Sequence, residues 1–93
     1  MVKIQTKELE FRGIPLEHLG MYFQELGGEK ITDSFPFIYR AEDWSAHILN
    51  QEEITFTAVF KVNAVHIRFI AENEEMLEKV IKGYRMKTFR AGG

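Results

Sequence analysis

Between Phe35 and Ala71 apolar residues return at every second position in four successive runs, and this two-residue period constrains the chain more than any other feature. Successive side chains of a strand point to opposite faces, so each run reads as a strand with one face buried. Phe35, Phe37 and Tyr39 alternate with Ile38 and Arg40, and Pro36 puts that strand at an edge or close to its own start. Trp44, Ala46 and Ile48 alternate with Ser45, His47 and Leu49. The clearest run, residues 53–62, sets Ile54, Phe56, Ala58, Phe60 and Val62 on one face. Asn63-Ala64 reads as a turn, after which Val65, Ile67, Phe69 and Ala71 fall together. Short spacing between the runs predicts an antiparallel meander.

A different period flanks this block. Leu16, Leu19, Phe23 and Leu26 lie on one face of a helix that starts with Pro15 at its first position and stops at Gly27. Gly20 inside that helix costs about 1 kcal/mol relative to Ala, which a close approach to the sheet would justify. A second helix follows Asn73, its cap, with Glu74 and Glu75 in the first turn and Leu77, Val80, Ile81 and Tyr84 as the buried stripe. Before the first helix, residues 3–12 read as a strand in which Leu9 and Phe11 alternate with charged residues and Ile4 falls out of phase. The order is β-α-β-β-β-β-α. An α+β fold follows, a curved antiparallel sheet with both helices covering one face.

The length of 93 residues, 45% of them hydrophobic with eight Phe, fits one domain with a packed core. Residues 87–93 are expected to form a flexible C-terminal tail. No Cys is present, which removes disulfides, thiolate metal sites and Cys nucleophiles together. A net charge of −2 offers no general attraction to nucleic acid or anionic lipid. No apolar run is long enough to span a membrane. The opening residues lack the apolar core of a secretion signal, which predicts a cytoplasmic protein.

The chain closes on Gly92-Gly93. Sulfur carriers and ubiquitin-like proteins present such a terminus to an ATP-dependent activating enzyme. The tail must thread a narrow channel, where residues without Cβ fit. Arg90, Ala91, Gly92 and Gly93 are the candidate carrier tail, and residues 87–93 reach roughly 23 Å when extended at about 3.3 Å per residue. The sheet face away from the helices gives a second candidate, a docking face for a protein partner built from Leu49, Val59, Lys61, His66, Arg68 and Ile70. It is a mixed surface and not a basic groove, which argues against DNA.

Other constellations carry less. His18, His47 and His66 lie on three different elements without metal-ligand spacing, so no metal site is expected. The pairs Glu42-Asp43, Glu52-Glu53 and Glu74-Glu75 read as turn residues and helix-start acids, and no nucleophile with a base and an orienting partner is evident. The chain is therefore expected to be non-catalytic and without a cofactor. The aromatic residues are needed to fill the core; the alternative is that they enclose an apolar small-molecule pocket between sheet and helices.

The stretch FRGIPLEHLGMYFQELGG, with Phe11, Gly13, Pro15, Leu19, Tyr22, Glu25 and Gly27-Gly28, resembles the start of the C-terminal domain of MoaD-related proteins, relatives of the molybdopterin synthase small subunit. The similarity continues through VHIRFIAENEEMLEKVIKGYR to the glycine end. It implies a fold like that of the TATA-box-binding protein; that domain has no established activity, and its association with the family points to a non-catalytic partner in molybdopterin assembly or sulfur transfer. Longer members carry a ubiquitin-like domain ahead of this one, which this sequence lacks.

Overall fold

The computed structural model describes residues 4–55 and 57–92. The elements are β1 (Gln5–Arg12), α1 (Leu16–Glu25), β2 (Glu29–Lys30), β3 (Phe37–Arg40), β4 (Trp44–Thr55), β5 (Lys61–Ala71) and α2 (Glu74–Gly92). They form one five-stranded sheet in the order β1-β5-β4-β3-β2, antiparallel throughout. Its strands and both helices share a single core. Leu19 and Phe23 of α1 and Leu77, Val80, Ile81 and Tyr84 of α2 are buried against Tyr39, Ala46, Ile48, Ile67 and Phe69. These sheet positions all lie on one face by register, so both helices cover that face and the other stays open.

The element order matches the expected one, but the strands behind it differ. Residues 53–62 do not form one strand. They are the end of β4, a turn and the start of β5, so the two longest strands make a single hairpin. Thr57 organises the reversal: its backbone exchanges hydrogen bonds with Phe60, and its hydroxyl accepts from the N–H groups of Val59 and Phe60. Phe56, assigned to the buried face of that run, lies outside the described residues, as does Lys3 at the expected start of β1. The turn predicted at Asn63-Ala64 is strand instead. Asn63 Nδ2 donates to the Ile14 carbonyl at 2.6 Å and to Gln51 Oε1 at 3.2 Å, so long-range partners override its preference for turns. The missing strand is supplied by the two-residue β2, which pairs with the end of β3.

The first helix stops as its glycines predict. Gly27 adopts φ +101°, its N–H donates to the Gln24 carbonyl, and the Gly28 N–H donates to the Phe23 carbonyl at 2.8 Å. That pair of bonds is the Schellman arrangement, which the left-handed residue makes possible. At the other end Pro15 is the cap and Leu16 the first helical residue, one position later than expected.

Gly20 is fully covered, and a Cβ there would overlap the Tyr39 hydroxyl. Alanine gains up to about 1 kcal/mol of helix propensity, yet overpacking a filled contact costs about 1–3 kcal/mol. Gly20→Ala is therefore expected to lower the melting temperature. Tyr39→Phe in the same background should recover part of the loss, and a Gly20→Ala protein that melts higher than the wild type would refute the close-approach reading.

Helix α2 begins as read, with the Met76 N–H donating to Asn73 Oδ1 at 2.8 Å. It extends beyond the expected end near Met86 and runs through residues assigned to a tail. Thr88 continues the buried stripe one turn past Tyr84, and Lys87 Nζ bonds Glu25 Oε1 of α1 at 3.2 Å. These contacts with the body hold turns that apolar periodicity alone did not require. Among the described residues no helix is long and apolar enough to cross a membrane.

Candidate functional site: the C-terminal helix and the open sheet face

Arg90, Ala91 and Gly92 are helical in backbone, and Gly93 lies outside the described residues. Among residues whose surroundings are described, Thr88 is the last buried one and Phe89 is 80% exposed. The contacts binding α2 to the body thus reach to Thr88, four residues before Gly92.

Among the described residues, aromatic rings fill the core between sheet and helices. Phe23 and Tyr84 stack there with ring centres 4.0 Å apart, and Phe69 meets both rings edge-on. A groove of about 820 Å³ lies between the edge strand β1 and α2. Leu77, Ile81, Met86 and Phe89 supply its apolar surface, with Lys7 and Lys82 at its margin.

The open sheet face is laid out by strand register. Thr6, Ile70 and Ser45 form one row across β1, β5 and β4; Glu8, Arg68 and His47 form the next; Glu10, His66 and Asn50 form the third. Leu49 is the extra residue of a bulge between the second and third rows. Of the expected partner face, Leu49, His66, Arg68 and Ile70 therefore come together. Val59 sits at the hairpin tip, 94% exposed. Lys61 stands opposite Thr55 in the register of the covered face and pairs with Glu53 at 3.6 Å.

Charges on the open face are locally matched. Arg68 Nη2 bonds Glu8 Oε1 at 3.2 Å, and Arg12 Nη2 lies 3.2 Å from Glu10 Oε2. His66 Nε2 lies 2.8 Å from Glu52 Oε1 and 3.9 Å from Glu10 Oε1. Sequence reasoning set Glu52 and Glu53 aside as turn residues; they are strand residues. As adjacent strand positions they do face opposite ways, Glu52 toward His66 and Glu53 toward Lys61. The convergence of Glu10 and Glu52 on His66 had no local signal, because the three residues come from three strands.

His47 has a distinct environment. Burial first, then the positive charges of Arg68 and Arg40, hold its imidazole below the ordinary value of 6.5. The unfolded chain then takes up this proton at higher pH than the folded one. The stabilising contribution is present above pH 6.5 and is lost as pH falls from there through the folded value. His47→Gln is expected to flatten that part of the stability profile, measured as urea midpoints between about pH 7 and pH 5. An unchanged slope would show that His47 is not held neutral.

An open antiparallel sheet with two helices on one face defines this as a small, two-layer α+β domain. Residues 7–93 match the family described as archaeal MoaD-like protein, and the chain belongs to that family. Neither the curated proteins nor the solved structures give a significant match.

Proposed function

We propose that this protein is a sulfur-carrier-type partner that offers the carboxylate of Gly93 to an ATP-dependent activating enzyme in the cytoplasm. The supporting observation is that the family match continues to residue 93, so Gly92-Gly93 falls within the matched region. The carboxylate attacks the α-phosphate of ATP and pyrophosphate leaves, giving an acyl-adenylate. A persulfide donor then attacks the acyl carbon and AMP departs. A thiolate then attacks the donor's sulfur in the resulting acyl disulfide, forming a new disulfide with the donor and expelling the thiocarboxylate.

This protein's part in those steps is presentation. The helical segment beyond Thr88 has to unwind, and the stretch from Phe89 to Gly93 then spans about 16 Å at about 3.3 Å per residue. Helix ends fray readily, and two glycines lower the cost of leaving the helix. Sulfur delivery to a molybdopterin precursor is the role the family relationship favours.

Intact mass spectrometry of the untagged protein from its natural source tests the proposal. A species with one oxygen replaced by sulfur, mapped to Gly93, is the expected result. Only unmodified mass, after incubation with an activating enzyme, ATP and a sulfur donor proven on a known carrier, would overturn it. A second reading, binding of an apolar small molecule, is favoured by the groove between β1 and α2, whose volume of about 820 Å³ lies within the usual range for ligand sites. A thermal shift with apolar ligands that disappears in Met86→Glu, at an exposed position of the groove, would support that reading.

A further inference from the structure

We propose that Glu10, His66 and Glu52 form a binding site for a divalent transition-metal ion such as Zn²⁺ on the open sheet face. One donor comes from each of three adjacent strands, β1, β5 and β4, and their ligand atoms all lie within 4.8 Å of one another. Tetrahedral ligands at about 2.0–2.2 Å from a metal stand roughly 3.4 Å apart. The two separations from His66 Nε2, 2.8 Å to Glu52 and 3.9 Å to Glu10, bracket that distance. Small side-chain rotations bring all three onto one ion.

The arrangement exceeds what a simple ion pair needs. Both carboxylates converge on the same imidazole nitrogen, which can share its proton with Glu52 at 2.8 Å, whereas 3.9 Å to Glu10 is too long for a hydrogen bond. A cation between them engages all three donors. Two carboxylates balance the charge of a divalent ion, and the imidazole and oxygen donors suit Zn²⁺ and its first-row neighbours. Water completes the coordination on the solvent side. Arg12 holds the other oxygen of Glu10 at 3.2 Å, an outer contact that orients the ligand.

The bulge at Leu49 is what assembles the donors. Ile48 pairs with Ile67; continued without a bulge, that register would set Glu52 opposite Asn63 on the face covered by the helices. The inserted residue shifts the register so that Glu52 instead pairs with Ala64 in the row beside His66. Bulges commonly re-aim a side chain in this way next to functional positions.

The site is independent of the carrier reading, and its test is separate. Zn²⁺ is titrated by calorimetry into the chelator-treated full-length protein, and Co²⁺ absorption reports the coordination geometry. One equivalent of metal is expected. His66→Ala and Glu52→Gln should each weaken binding by about tenfold or more, since losing even an outer-shell partner costs about 10–100-fold. His47→Ala, which removes a histidine on the same face, should leave binding unchanged. Glu52 is exposed and the two histidines are half-buried, so circular dichroism and thermal melts verify that each variant is folded before binding is compared. Wild-type affinity no greater than that of His66→Ala, or equal loss in His47→Ala, overturns the site.

Discussion

Phe23→Ala is expected to lower the free energy of unfolding by about 3–5 kcal/mol, seen as a lower urea midpoint with an unchanged slope. Phe23 is fully buried and stacks on Tyr84 at 4.0 Å with the ring planes 12° apart. It also meets Tyr39, Trp44 and Phe69 at centroid separations of 5.4, 6.0 and 5.8 Å. One side chain of α1 thus joins α2 to β3, β4 and β5. Removing it leaves a hole walled by rigid rings, which collapse poorly, so the cavity term adds to the lost transfer energy. Tyr84 is anchored besides, because its hydroxyl donates to the Leu19 carbonyl at 2.8 Å in the buried core. A domain of this size has about 5–15 kcal/mol in total, so the variant would be marginal. Phe89→Ala is the control: at 80% exposure it should change stability by no more than about 0.5 kcal/mol. Equal effects of the two substitutions would refute a central role for the aromatic cluster.

Deleting Gly93 is expected to abolish thiocarboxylate formation completely while leaving the melting temperature unchanged. The two outcomes separate because, among residues whose surroundings are described, Thr88 is the last buried one, and Lys87 bonds Glu25 of the other helix six positions before Gly93. On the carrier proposal, shortening the chain moves the terminal carboxylate back by one residue, about 3.3 Å of extended chain. A nucleophile misplaced by far less than that already loses much of its rate. Thiocarboxylate yield after single-turnover incubation with activating enzyme, ATP and donor is the measurement. A truncated protein that is still sulfurated at wild-type yield would exclude Gly93 as the acting group.

Much of the fold was legible. The buried stripe of α2 from Leu77 to Tyr84, the cap at Asn73 and the stop at Gly27 are local patterns that the structure keeps. The site was less so. His66 and Arg68 were placed on the open face by alternation alone, and the register puts them there. Glu10 and Glu52 were not connected with His66, because sequence separation says nothing about which strands become neighbours. The hairpin was misread for a related reason: alternation persists through Ala58 and Phe60, so the period carries no mark of the point where the chain turns back.

What the sequence determined by itself is the kind and buried side of both helices, of β1 and β3, and of the stretches 44–48 and 65–71, since helix and strand periods arise from interactions within a few residues. Tertiary structure decided where β4 ends, that Asn63 lies within a strand, how far α2 runs and which way Glu52 points. Each depends on a partner distant in the chain: Ile14 and Gln51 for Asn63, Glu25 for Lys87, and β5 for the register around Leu49. A single extra residue in β4 reverses the alternation beyond it, and only pairing along the whole hairpin selects the shifted register.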